Sequence, residues 1–138
     1  MIDFNFETDF QLENQTRLSA WITNIVTREG FELGDLLYVF CDDDYLHKLN
    51  VEFLNHDTLT DILSFDYKVG KQINGEIFIS VERVAENAQD FNTSFNDELH
   101  RVMIHGILHF CGYKDKTEEE EASMRYIEDE ALKLLASS

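Results

Sequence analysis

The chain has 138 residues, 43% of them hydrophobic, and carries a formal charge of −17 from 11 Lys and Arg against 28 Asp and Glu. That content suits one compact domain over residues 1–138. The charge excludes the broad basic surface by which nucleic-acid proteins replace phosphate counterions, and the lack of a long uncharged apolar run excludes a membrane-spanning helix.

Ile2, Phe4 and Phe6 alternate with polar residues, which predicts a strand. Leu18, Trp21, Ile22, Ile25 and Val26 then recur at helical spacing up to Gly30, and a second strand is expected over Leu36 to Cys41. Asp42 can cap a helix carrying Tyr45, Leu46, Leu49 and Phe53. Ile62 to Tyr67 and Ile73 to Ser80 read as two strands of a hairpin around a turn at Gly70. Ser80 opens a helix toward Asn92, another helix starts at about Asn96, and Thr117-x-x-Glu120 is a capping-box pattern for the last one. The acidic runs Asp42 to Asp44 and Glu118 to Glu121 fall at helix starts, where they favour the helix dipole and stay solvated. Four strands and five helices in this order predict an α+β domain, α/β-like, built on a four-stranded mixed sheet. The absence of proline does not alter this reading.

Cys41 and Cys111 form no C-x-x-C pair, which suits reduced thiols, and the N-terminus has no basic region before an apolar stretch. A cytoplasmic protein is the expectation.

The segment His105-Gly-Ile-Leu-His109-Phe-Cys-Gly112-Tyr-Lys-Asp115 spaces three potential metal ligands as H-x3-H-x5-D. On a helix His105 and His109 lie one turn apart and roughly 40° around the axis. Gly112 can end that helix in a left-handed cap and swing Asp115 back toward them. Paired histidines at this spacing arise by chance on many helices. Here, however, Val102, Met103, Ile104, Ile107, Leu108 and Phe110 make the helix apolar on nearly all sides, so it is expected to be buried. An unpartnered buried imidazole costs roughly 1–3 kcal/mol, and a shared metal removes that cost. Two imidazoles and a carboxylate leave a tetrahedral ion with an open fourth position, as in catalytic sites. One divalent ion is predicted, zinc favoured, with nickel, iron and manganese as alternatives. His100, about 140° around the helix from His105, reads as a surface histidine, and Cys111, about 200° from His109, as a packing residue. Zinc proteases of the H-E-x-x-H type place their general base where this chain has Gly106, so peptide hydrolysis loses that base. A metal can still generate its own nucleophile by acidifying bound water.

The string from His105 to Tyr113 resembles the signature of the YbeY family, bacterial metal-dependent endoribonucleases of rRNA maturation. Leu59-Thr-Asp-Ile-Leu-Ser-Phe65 is similar to the family's P-T-D-V-L-S-F block, Gly75-Glu-Ile-Phe-Ile79 to its G-D-I strand, and Leu49-Asn50 to the segment upstream. The resemblance implies a single-strand endoribonuclease acting in rRNA processing and ribosome quality control. Its partners would be RNA and the ribosome or a ribosomal protein, with no DNA and no membrane. A protein partner would lessen the need for a broad basic surface. It also implies that Thr60, Asp61 and Ser64 support the site or the substrate backbone, where the residues alone suggest only a turn and a strand position.

The departures are specific. Asp115 stands where the family has histidine, and Lys114 where it has aspartate. A register shifted by one residue would make Lys116 the ligand, and a protonated lysine has no lone pair to give. Leu54 aligns with a family arginine and Leu59 with its proline; Arg83, Arg101 or Lys116 are the candidates to replace the lost charge. Glu76 reads as a partner fixing a histidine tautomer or as the outward residue of a strand, and His47 and His56 carry no assigned role. The rival readings are a metalloprotease-like hydrolase, a non-catalytic metal-stabilised ribosome-binding module, and an iron oxygenase using two histidines and a carboxylate.

Overall fold

A computed structural model describes residues 1–55 and 60–137. His56 and Leu59 therefore lie outside the described residues. In chain order the elements are β1 (Ile2–Phe6), α1 (Gln15–Arg28), β2 (Glu32–Cys41), α2 (Asp43–Leu54), β3 (Ile62–Asp66), β4 (Gln72–Ser80), α3 (Val81–Asp90), α4 (Phe95–Phe110) and α5 (Glu118–Ala136). The sheet order is β1-β2-β4-β3, with β1, β2 and β4 parallel and β3 antiparallel to β4. The expected mixed four-stranded sheet with five helices is the observed α+β architecture.

Boundaries differ where polar side chains redirect the backbone. β2 begins at Glu32, before the expected Leu36, because its pairing with β4 continues across an irregularity between Leu33 and Leu36. There the Asp35 N–H donates to Asn74 Oδ1 at 2.8 Å, so a side chain replaces the interrupted ladder. β3 stops at Asp66, whose carboxylate accepts from the Lys68 N–H at 2.8 Å and starts the turn. α3 stops at Asp90, because Asn92 adopts a left-handed conformation (φ 56°). α4 begins one residue before the expected Asn96, with Ser94 accepting from the Asp97 N–H.

One face of the sheet, including Leu36, Tyr38, Phe40, Ile77 and Ile79, forms the main core with the apolar stripe of α1 and most of α4. The other face carries Cys41, Leu63, Phe65 and Phe78 under Tyr45, Leu46 and Leu49 of α2. Two glycines and one tyrosine fix α4 on its face. A Cβ on Gly106 would stand 2.9 Å from Ile77 Cδ1 and 3.1 Å from Ile62 Cδ1, and one on Gly75 would stand 2.6 Å from the Phe110 ring. At Gly75 the approach is closer than a side chain allows, and at Gly106 a Cβ would require the isoleucine tips to shift. The fully buried Tyr38 donates its hydroxyl to the Met103 carbonyl at 2.9 Å, tying β2 to the middle of the same helix.

Candidate metal centre

The end of α4 shapes the site. Gly112 (φ 102°) donates its N–H to the His109 carbonyl at 3.0 Å, and Tyr113 donates to the Leu108 carbonyl at 3.1 Å. This is the paired closure of a Schellman motif, and it reverses the chain so that Asp115 returns over the helix. The Tyr113 hydroxyl then donates to Glu29, which anchors the returning segment to the residue after α1. Thr117 and Glu120 close a reciprocal capping box that starts α5.

His105, His109 and Asp115 are brought together. Nε2 of His105 lies 2.9 Å from Nε2 of His109, and Asp115 Oδ2 lies 3.1 Å and 3.3 Å from these two nitrogens. The hydrogen bonds on the far sides of the rings decide what those nitrogens carry. His109 Nδ1 faces the Tyr113 carbonyl at 3.0 Å, and His105 Nδ1 faces the Glu128 carboxylate at 2.5 Å. A carbonyl and a carboxylate only accept, so in the neutral rings both Nδ1 atoms hold the proton and both Nε2 atoms present lone pairs. Two lone pairs and an anionic oxygen at this separation repel unless a cation lies among them. Metal–ligand bonds of about 2.0–2.1 Å in tetrahedral geometry put ligand atoms roughly 3.3 Å apart. The three residues fit one divalent ion and could hold it.

Glu128, which sequence reading did not single out, makes the tautomer-fixing contact that was one of the two readings of Glu76; Glu76 takes the other, as the outward residue of a strand. Only 5% exposed, Glu128 accepts from Arg101 Nη1 at 2.9 Å through its other oxygen, while Arg101 Nη2 pairs with Asp129 at 2.5 Å. Burial draws the His105 pKa down, but the Glu128 hydrogen bond and charge, with Asp115 and Asp61, reverse this and leave it raised. Glu76 alternates with Ile77 and so lies on the sheet face away from α4, where it accepts from the Tyr67 hydroxyl at 2.8 Å. The signal for Glu128 was a lone acid on the inner side of α5, between Met124 and Ala131, both buried.

A cavity of about 290 Å³ opens beside the cluster and is lined by His105, Asp115, Asp61, Glu98, Arg101 and Glu128, among others. Asp61 joins it from the start of β3, held by Asn87 Nδ2 at 3.3 Å. Burial pushes the Asp61 carboxyl up. Thr60 and Ser64 do not line the cavity; Thr60 donates to the Ile62 carbonyl at 3.3 Å, and Ser64 pairs with Ile77 within the sheet. Of the candidates for the missing cation, Arg101 alone reaches the cavity. Arg83 is paired with Asp43 at 3.0 Å and Glu86 at 2.9 Å, and Lys116 is exposed beyond Asp115. Leu54 is an exposed residue at the end of α2. His100 corrects the expectation of a surface residue: it is half-buried, its ring edge-on to Trp21 at 6.2 Å, and burial lowers its pKa. Cys111 packs against the main core, and burial beside Glu29 pushes its thiol up to about 11.

The family model described as endoribonuclease YbeY matches residues 3–136. The endoribonuclease YbeY of Flavobacterium johnsoniae is 57% identical over 132 residues, covering 96% of this chain and 95% of its own. That of Flavobacterium psychrophilum is 53% identical over 134 residues, with 97% and 96% covered. The solution structure of TM1509 from Thermotoga maritima superposes with a TM-score of 0.63 at 29% identity, over 99% of this chain and 93% of that one.

Proposed function

The chain belongs to the YbeY endoribonuclease family, and from that premise we propose that residues 1–138 form one metal-dependent endoribonuclease domain acting on single-stranded RNA in rRNA maturation. His105, His109 and Asp115 are the ligands of one divalent ion. The nitrogen and oxygen donor set favours zinc and also suits nickel, iron or manganese. The observation that carries this reading is the convergence of two imidazole lone pairs and one carboxylate, with both tautomers set from behind by Glu128 and the Tyr113 carbonyl.

When bound, the ion supplies a concentrated positive charge that can polarise a phosphoryl oxygen and acidify an attacking hydroxyl. Glu128 keeps the His105 proton on Nδ1, and Arg101 holds Glu128 in turn. Asp61, its pKa raised toward the working range by burial, is the carboxylate that accepts the proton of the attacking water or ribose hydroxyl. The Arg101 guanidinium, on the wall of the same cavity, offers positive charge to the substrate phosphate. Gly106 faces Ile77 and Ile62 of the sheet, so no base in the metalloprotease position could reach the cluster, which argues against the peptidase reading. Among the described residues no helix is long and apolar enough to cross a membrane, which supports the cytoplasm as the compartment. The strong negative charge favours delivery to rRNA through a ribosomal protein. Incubating the metal-loaded chain with labelled single-stranded RNA and with casein tests the reading: RNA cleavage abolished by chelation is expected, and casein hydrolysis, or RNA cleavage by the chelated chain, would overturn it.

A further inference from the structure

The apolar stripe of α3 runs through Val84 and Ala88, both buried. The next position on that stripe is Phe91, three residues on, where burial would be expected. Instead Phe91 caps the helix and is 59% exposed. Asn92 explains why: its left-handed conformation, with Asn92 and Thr93 donating back to the Gln89 and Ala88 carbonyls, ends α3 and leaves the ring at its tip. The ring lines the cavity that also holds His105 and Asp115. The guanidinium of Arg125 lies 6.0 Å from the ring centroid.

Deeper in the same cavity lies Glu98, 5% exposed, whose carboxylate takes part in no hydrogen bond or ion pair among the described residues. It sits about two turns before His105 on α4, in the field of Asp61, Arg101 and Arg125. Its oxygens are not sealed inside the chain but open onto the cavity, where a ligand can supply a donor.

Resting on the RNA-cleaving reading of the metal centre, we propose that this end of the cavity is a nucleobase subsite: one base of the substrate strand stacks on Phe91 beside Arg125, and its amino group donates to Glu98. Aromatic side chains bind single-stranded bases by stacking, and an arginine plane adds to it. Specificity follows from the acceptor. Ionised carboxylates accept from the exocyclic amines of cytosine, adenine and guanine. Uracil presents carbonyl oxygens there and is repelled. The subsite thus reads the presence of an amino group and chooses a base neighbouring the scissile phosphate.

The test is titration of the metal-loaded chain with AMP, CMP and UMP at pH 8, followed by amide chemical shifts. AMP and CMP are expected to bind roughly fivefold more tightly than UMP, with shifts around Phe91 and Glu98. Phe91→Ala should weaken all three about tenfold, and Phe91→Trp should restore binding. Glu98→Gln, whose amide both donates and accepts, should erase the preference over UMP. Equal binding by Phe91→Ala, or shifts confined to other surfaces, would overturn the subsite. Mononucleotides contain no internal phosphodiester, so the result does not depend on turnover. A chain that binds them at Phe91 but leaves RNA intact overturns the endoribonuclease reading alone, whereas RNA cleavage by Phe91→Ala with unchanged KM and unchanged site preference overturns the subsite alone.

Discussion

The Glu128 carboxylate of α5 meets Nδ1 of His105 on α4 at 2.5 Å, while its second oxygen is held by Arg101 one turn before that histidine. The packing of two helices thereby decides which nitrogen of His105 bears its proton. Partners of this kind typically account for 10–100-fold in metal affinity. Glu128→Ala should weaken zinc binding within that range in a chelator competition, and Glu128→Gln, which retains one acceptor oxygen, should weaken it less. Equal affinity in all three proteins would show that the contact is only structural.

The ligands themselves should behave as all or none. His105→Ala or His109→Ala leaves two protein donors and should abolish stoichiometric metal in elemental analysis. His100→Ala should keep the metal, since that ring packs on Trp21. It should lower Tm instead. Loss of metal in His100→Ala with retention in His105→Ala would mean that a different face of α4 binds.

The contrast between His105 and Glu128 also marks what the sequence could disclose. Both histidines and Asp115 lie within eleven residues of one helix and its cap, and such spacing obeys helical geometry alone. The strands were likewise legible from apolar alternation at Ile2, Phe4 and Phe6 and over β4. Glu128 comes from a separate helix, and its meeting with His105 depends on how α4 and α5 cross, a relation with no local periodicity. Glu76 was the candidate offered by the sequence, but strand alternation turns it to the opposite face. His100 was misread for a related reason: helical angle gives a direction, and only the position of Trp21 on α1 says that this direction is occupied.

Gly106 shows how fold and chemistry constrain the same position. A Cβ there would meet only the flexible tips of Ile77 and Ile62, so Gly106→Ala should be tolerated, its crowding offset by about 1 kcal/mol of helix propensity. Gly106→Glu creates the His-Glu-x-x-His spelling, yet it drives a carboxylate into the sheet. Burying an unpaired charge in this way costs several kcal/mol, enough to remove most of the stability of a small domain. Thermal unfolding should show near-wild-type Tm for the alanine variant and no cooperative transition for the glutamate variant. A folded Gly106→Glu protein with peptidase activity would contradict the packing argument.

Glu98 should reduce stability in exchange for its place in the cavity. Burial, and then the Asp61 charge, raise its pKa in the folded chain. A carboxyl with a raised folded pKa contributes stability below its unfolded pKa and loses it as pH rises through the folded value. Glu98→Gln removes that loss. Its Tm should exceed wild type by a few degrees at pH 8, the shift that about 1 kcal/mol produces in a domain of this size. The advantage should shrink below about pH 4, near the unfolded carboxyl value. A Tm difference that is constant across this pH range would show that Glu98 titrates as a solvated acid.

Asp115 carries the sharpest test, because it stands where the family has histidine. Its Oδ2 approaches both Nε2 atoms within 3.3 Å, while Lys116 is exposed. Asp115→Asn keeps size and polarity but removes the anion, and should lower metal affinity by at least about tenfold with little change in the metal-free Tm. Lys116→Ala should leave affinity unchanged. Asp115→His supplies the imidazole usual in the family; if the Gly112 turn accommodates the ring, metal is retained. The centre then gains one positive charge, which favours a more acidic attacking hydroxyl and should move the RNA-cleavage pH profile to lower pH. Replacing oxygen by nitrogen should also reduce the relative affinity for manganese against zinc. Unchanged metal content in Asp115→Asn together with loss in Lys116→Ala would place the ligand one residue further along the loop.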